Sequence, residues 1–274
     1  MQQSLLTFEQ VYYTYPGARQ SALNGITLRI PQGKRCALIG RNGCGKTTLF
    51  SLANGLYKPQ KGRVYWQGEP LQYDRKNLIE LRQKVGLVFQ NPEQQLVAST
   101  VEEDISYGLC NLGLPKSEIQ QQVTQALREF ELTELAERPV HHLSLGQKKR
   151  VSLADVMVLR PELLLLDEPT AYLDRPQSRN FMAILQKIYE SGTTILMASH
   201  DLDLVYCWAE WIFVMDEGRL ILEGKPQDIF SQRKILEGVQ LGLPLIYEIL
   251  ITEGLATEEH SLEKFRQRIL QLFY

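Results

Sequence analysis

The residues Gly40-Arg41-Asn42-Gly43-Cys44-Gly45-Lys46-Thr47, with Thr48 behind them, have the types and spacing of a phosphate cradle, G-x-x-x-x-G-K-[ST]. Three glycines let the backbone turn tightly and aim its N–H groups inward, as an anion requires. A helix opening at Lys46 adds the positive end of its dipole. The Lys46 ammonium reaches the β- and γ-phosphates as a charge-assisted donor. The Thr47 hydroxyl is the kind of oxygen that coordinates Mg²⁺. Cys44 contributes its backbone rather than its thiol. A second chemical feature is Asp167-Glu168, which ends the apolar run 163–166. Carboxylates there lie at the carboxyl edge of a sheet, where open α/β folds bind ligands. Asp167 is then placed for the Mg²⁺ shell, and Glu168 is free to polarise water as a general base.

Strands and helices must bring these groups together. Residues 1–30 read as short strands broken by a turn at 14–18. Arg35–Ile39 is an apolar strand leading into the glycines. A helix from Lys46 carries Leu49, Leu52, Ala53 and Leu56 on one face. Further strands are expected at 64–66 and 85–89. Ile119, Val123, Leu127 and Phe130 recur at helical spacing over 115–132, with Ser117 and Gln120 as a capping box. The runs 163–166 and 194–199 are continuously apolar, as in a parallel strand covered on both faces. A helix over 176–190 joins them, and 211–215 with 219–224 reads as a closing hairpin. The order gives an α/β architecture with a helical insert over about 91–160 as a side lobe. In the tail, 231–274, Leu262, Phe265 and Ile269 share one helical face with Leu272 close by. That stripe fits packing on its own domain or on a second copy.

The chain has 274 residues, 44% hydrophobic and 23% charged, which excludes a disordered or collagen-like protein. The net charge is −2, so no overall basic field draws nucleic acid or anionic lipid. Four cysteines lack paired spacing, which argues against a disulfide framework or zinc site and fits a reducing cytosol. No secretory leader is expected at the N-terminus, and no apolar run approaches the roughly 20 residues of a spanning helix.

Taken together, these motifs resemble those of ATP-binding-cassette (ABC) ATPases. Ser144-Leu145-Gly146-Gln147 is similar to that family's signature and precedes Asp167 by the family's spacing. Gln90, closing a strand, resembles the glutamine loop. Asp174, after Ala171-Tyr172-Leu173, resembles the D-loop, and Ser199-His200-Asp201 the switch histidine. Tyr15 resembles the aromatic that stacks on adenine. The resemblance covers residues 1 to about 225. It implies a P-loop NTPase cassette with a RecA-like core, an antiparallel β subdomain, an α-helical signature subdomain and a short helical C-terminal extension. It places the ATP-binding domain at 1–230 and the extension at 231–274.

ATP and Mg²⁺ are the implied cofactors. Tyr15 and 40–48 bind ATP, while Thr47, Gln90 and Asp167 hold the metal. Glu168, His200 and Gln90 serve catalysis. Ser144, Gly146 and Gln147 cap the nucleotide of a second ABC subunit, and Asp174 spans the seam. Leu145 and Tyr172 replace glycines of the family pattern, and their bulk is expected to slow turnover.

The stretches 89–96 and 100–105, with the signature, look like the ATPase of energy-coupling-factor importers. Residues 66–78 look closest to its cobalt/nickel branch. That likeness implies a peripheral protein on the cytoplasmic face of the cell membrane. Its partners would be integral membrane subunits, one of them solute-binding, with no nucleic acid. Cobalt or nickel would be handled by those partners; a vitamin-type importer is the nearest alternative. An ATPase acting on DNA would need sustained heptads, Cys-x-x-Cys modules or a basic groove. A P-loop kinase has no use for the signature.

Overall fold

The computed structural model describes residues 4–252, 265–266 and 268–270. In chain order, the strands are β1 (Ser4–Tyr13), β2 (Leu23–Pro31), β3 (Arg35–Ile39), β4 (Lys61–Trp66), β5 (Glu69–Pro70), β6 (Val85–Val88), β7 (Leu163–Asp167), β8 (Thr194–Ala198), β9 (Trp211–Asp216) and β10 (Arg219–Gly224). The helices are α1 (Lys46–Ala53), α2 (Arg75–Lys84), α3 (Val101–Asn111), α4 (Lys116–Glu129), α5 (Leu145–Met157), α6 (Arg175–Glu190), α7 (Leu202–Trp208), α8 (Pro226–Phe230), α9 (Arg233–Gly238) and α10 (Leu245–Thr252).

Two sheets form. An antiparallel one runs β2-β1-β4-β5, and a larger one runs β10-β9-β3-β8-β7-β6. In the larger sheet β9, β3, β8, β7 and β6 are parallel, and β10 returns antiparallel at the edge. The continuous apolar runs reflect burial on both faces. Leu164 and Leu166 join one hydrophobic cluster with Ile39, Ile195 and Met197. Their neighbours Leu163 and Leu165 join the other with Leu38 and Leu196. The two-residue period of a strand thus divides each run between two cores. One core contains the helical insert and α6; the other contains α1 and the antiparallel sheet.

In the insert, Val123, Leu127 and Phe130 are buried and Ile119 packs against them, as the spacing predicts. The expected Ser117–Gln120 capping box does not form. Pro115 occupies the cap of α4 and offers no side-chain acceptor, so Ser117 falls inside the first turn. Genuine boxes open α3, from Thr100 and Glu103, and α5, from Ser144 and Gln147. The first helix is also shorter than expected. It ends at Ala53, the chain turns through Gly55, and Leu56 is exposed. A side-chain brace joins the insert to the core: Gln95 accepts from the Phe89 N–H at 3.3 Å and donates to the Ser152 carbonyl at 2.7 Å.

The chain beyond β10 folds back on its own α7. Tyr206, Phe230 and Tyr247 form a ring cluster with centroids 5.4–6.1 Å apart. The Ile246 N–H donates to Asp203 Oδ1 at 2.9 Å. Residues 265–266 and 268–270 are helical, and Phe265 and Ile269 pack on the main core. Leu262 and Leu272 lie outside the described residues. Arg266 is buried, donates to the carbonyls of Tyr206 at 2.7 Å and Ala209 at 2.6 Å, and lies over the Tyr206 ring. A cation at the carbonyl end of α7 satisfies groups the helix cannot satisfy itself. Replacing Arg266 by Ala would leave two buried acceptors unpaired. The expected loss is about 2–3 kcal/mol, read as a fall of roughly 5 °C or more in the thermal midpoint.

Candidate active site

The order β3-β8-β7-β6 sets the order of chemistry along one sheet edge. β3 leads into the glycine loop, β8 into Ser199-His200, β7 into Asp167-Glu168, and β6 towards Gln90. Their carboxyl ends open on a cleft of about 810 Å³, lined among others by Tyr15, Lys46, Thr47, Gln90, Glu168 and His200. A groove of about 840 Å³ runs between α4, α6 and the turn before β8, and it contains none of these groups.

The glycine loop has the shape its chemistry requires. Gly43 and Gly45 have φ of 79° and 107°. A β-carbon on Gly45 would stand 2.5 Å from the Ala22 carbonyl oxygen, so only glycine fits. Gly45 caps α1, and no side chain takes up the first-turn N–H groups, which leaves them for an anion. Lys46 is buried and spans the loop, donating to the carbonyls of Gly40 at 2.7 Å and Arg41 at 3.1 Å. Cys44 is buried beneath it, its thiol 4.0 Å from Lys46 Nζ, while Arg41 and Asn42 are exposed at the loop tip.

The Thr47 hydroxyl donates to Asp167 Oδ2 at 2.7 Å, joining the first turn of α1 to the end of β7. A hydroxyl, a carboxylate and the nearby Gln90 amide form an all-oxygen donor set of the kind Mg²⁺ selects. Tyr15 hydrogen-bonds the Thr48 hydroxyl at 3.0 Å. It meets Tyr13 and Tyr57 edge to face, while those two rings stack at 5.1 Å. This aromatic group stands at the cleft mouth.

Glu168 has a backbone φ of 47°, a left-handed conformation that costs a non-glycine residue of the order of 1 kcal/mol or more. The turn is held from several sides. The Glu168 N–H donates to the Ala198 carbonyl, the Ala171 N–H donates to the Glu168 carbonyl, and the His200 N–H donates to Glu168 Oε2 at 3.3 Å. Glu168 Oε1 lies 3.2 Å from His200 Nε2 but forms no aligned hydrogen bond. Burial pushes the Glu168 carboxyl up to about 7. Burial, then the Lys46 charge, pulls the imidazole below its ordinary value. Burial thus favours the neutral form of each of the two groups. Asp201 caps α7 through the Leu204 N–H and fixes the turn that carries His200.

Ser144, Gly146, Gln147 and Asp174 do not line this cleft. Ser144 and Gln147 are engaged with each other at the start of α5, and Asp174 caps α6 through the Gln177 N–H at 2.8 Å. Gly146 lies against the exposed Gln177 side chain, 2.9 Å from where a β-carbon would stand. Leu145 is partly exposed, and Tyr172 is 82% exposed at φ 64° beside the cleft. Lys149 was not foreseen. It is buried and donates to the carbonyls of Glu168 and Pro169. The signal lay in its spacing, three and four residues before the buried Ser152 and Leu153 on α5.

The family model described as ABC transporter matches residues 23–171, which span the glycine loop, the signature and the acidic strand end. The chain belongs to the ABC transporter family, as an ATP-hydrolysing cassette. A putative ABC transporter ATP-binding protein of Nostoc sp. is 86% identical over 273 residues and covers both chains fully. The energy-coupling factor transporter ATP-binding protein EcfA of Methanocaldococcus jannaschii is 41% identical, over 88% of this chain and 86% of its own. The structure of cbiO1 from Clostridium perfringens, part of the ABC transporter complex cbiONQ, superimposes with a TM-score of 0.76. It is 40% identical, covering 90% of this chain and 99% of that one. A dimeric cassette bound to ADP and Pi superimposes with a TM-score of 0.73 at 27% identity, over 81% of this chain and 98% of that one. The ABC cassette fold implied by the motifs is therefore the fold of this chain, and its likeness is to the energy-coupling-factor group.

The raised Glu168 carboxyl makes a pH prediction. With Glu168 as the base, the group accepts a proton only once ionised, and kcat at saturating nucleotide would then rise with pH through about 7 and level off above it. A Glu168→Gln enzyme should lose that rising limb along with most of its rate.

Proposed function

We propose that this cassette hydrolyses ATP with Glu168 as general base, and that two cassettes close around two nucleotides. The observation that carries the reading is the convergence of Thr47, Asp167, Glu168 and His200 on one cleft from three neighbouring strands. Lys46 exchanges its loop carbonyls for phosphate oxygens, and the first-turn N–H groups of α1 receive the remaining charge. Residues 40–48 enclose the phosphates, and Tyr15 offers a ring face to adenine. Thr47, Asp167 and Gln90 would hold Mg²⁺, which neutralises phosphate charge when bound. Glu168 takes a proton from the attacking water, while His200 holds the water's orientation against the phosphate. Gln90 lies where β6 enters the helical insert, so it is placed to relay the state of the cleft to that lobe.

Ser144, Gly146 and Gln147 act on the nucleotide of the partner cassette, with Asp174 at the seam. Ser144 is exposed at the start of a helix whose dipole favours an anion. Leu145 and Tyr172 add bulk to this face and slow closure. The cassette corresponds to 1–230 and the helical extension to 231–274.

The protein is the ATPase subunit of an energy-coupling-factor-type transporter. We place it on the cytoplasmic face of the membrane, bound to integral subunits that carry the solute. Among the described residues no helix is long and apolar enough to cross a membrane. The cargo we favour is a transition metal, cobalt or nickel, because cbiO1 belongs to the cbiONQ complex and is 40% identical. We assign the handling of that cargo to the partner subunits.

Two variants test the chemistry. Glu168→Gln should retain ATP, accumulate as a closed dimer on size exclusion, and lose hydrolysis by about 100-fold or more. Lys46→Ala should lose nucleotide affinity instead, as measured by fluorescent-nucleotide titration. Normal turnover in Glu168→Gln would remove it as the base. Purification with the neighbouring membrane subunits, followed by uptake of labelled cobalt, nickel or a vitamin, decides the cargo.

A further inference from the structure

We infer that Lys149 is a positioning residue for hydrolysis, a strut that fixes the Glu168 peptide and ties it to the signature helix. The inference rests on the reading of Glu168 as the base. Lys149 lies in the second turn of α5, five residues after Ser144, and is 2% exposed. Its ammonium donates to the Glu168 carbonyl at 3.1 Å and the Pro169 carbonyl at 2.8 Å. A lysine is rarely buried to this degree, because desolvation penalises its charge. Here burial is the main force holding its pKa down to about 8, against the opposing pull of Glu168 and Asp167. Packing alone would be met by an uncharged chain of similar size. What the ammonium adds is two donors aimed at two consecutive carbonyls of one turn.

Those carbonyls belong to Glu168 and to the residue that follows it. Glu168 has a left-handed backbone, and its carboxyl sits against His200 only while that turn is kept. The Glu168 carbonyl already accepts from the Ala171 N–H, so Lys149 is its second donor. For Pro169, Lys149 supplies a donor from outside the strand and its turn. Removing the ammonium frees the turn to relax, which moves the base without touching the glycine loop. The strut also has a consequence across the dimer. Ser144 and Lys149 lie on one helix, so a shift of α5 on capping the partner's nucleotide is passed to the base of its own site. A rigid helix carries that displacement without any intervening loop.

The test uses the full-length protein, with Lys149→Met to remove the donors and Lys149→Gln to keep one. Lys149→Met should lower kcat at least tenfold while ATP affinity, by fluorescent-nucleotide titration, stays within about threefold. Lys149→Gln should recover part of that rate. Because Lys149 acts through Glu168, its loss should add little in a Glu168→Gln background, measured by single-turnover hydrolysis of labelled ATP. An unchanged kcat in Lys149→Met overturns the proposal. So does a loss that multiplies fully with that of Glu168→Gln, or a matching loss of nucleotide affinity. Failure of both variants to fold assigns Lys149 to domain stability and overturns it as well. Normal hydrolysis by Glu168→Gln alone would instead refute the base on which the inference stands.

Discussion

The hydrogen bond between the Thr47 hydroxyl and the Asp167 carboxylate joins the two halves of the nucleotide site, and much of the fold is arranged so that it can form. One partner opens the first helix and the other ends the seventh strand. They meet because β8 pairs with both β3 and β7, and because all three run in the same direction. Parallel pairing puts every carboxyl end on one edge, with the loop and the acids facing each other across it. An antiparallel neighbour at that point would send one group to the opposite side of the sheet. The two hydrophobic cores serve this geometry, since a sheet covered on both faces holds its strand ends in register.

The site concentrates groups that a purely stabilising fold would avoid. Lys46, Lys149, Asp167 and Glu168 are all buried. Each charge is offset locally, by loop carbonyls, turn carbonyls or the Thr47 hydroxyl. Glu168 is the exception that matters, because one of its oxygens is buried without a hydrogen bond. Desolvation of that carboxyl raises its affinity for protons, which is what a base near neutral pH requires. The strained backbone and the missing partner are costs borne by the packed sheet around them.

The signature helix reaches both directions from its capping box. Its first residues are exposed, while Lys149, Val151, Ser152, Leu153 and Ala154 are buried against the core. The same duality appears at Asp174, which caps α6 while standing beside the exposed Tyr172. In both places a side chain stabilises the start of its own helix. The C-terminal segment shows the reverse preference. Tyr206, Phe230, Tyr247 and Arg266 bind it to α7 of the same chain.

The sequence alone determined the glycine loop, the acidic strand end, the helical stripe of α4 and the alternation of strands with helices, and the resemblance of its motifs implied the ABC cassette. Those features are local, written in spacing, glycine placement and apolar runs, and local rules read them directly. It misplaced the cap of α4, because Pro115 and Ser117 compete within three residues and only the backbone geometry chooses between them. It ran α1 on to Leu56, because the apolar period continues past the point where the chain turns through Gly55. It also left the packing of the tail open between two partners, since an apolar stripe does not name what covers it. The burial of Lys149, the raised carboxyl of Glu168 and the meeting of Thr47 with Asp167 were decided by tertiary structure. Each depends on groups brought together from distant parts of the chain, where desolvation and hydrogen bonding act through space rather than along the sequence.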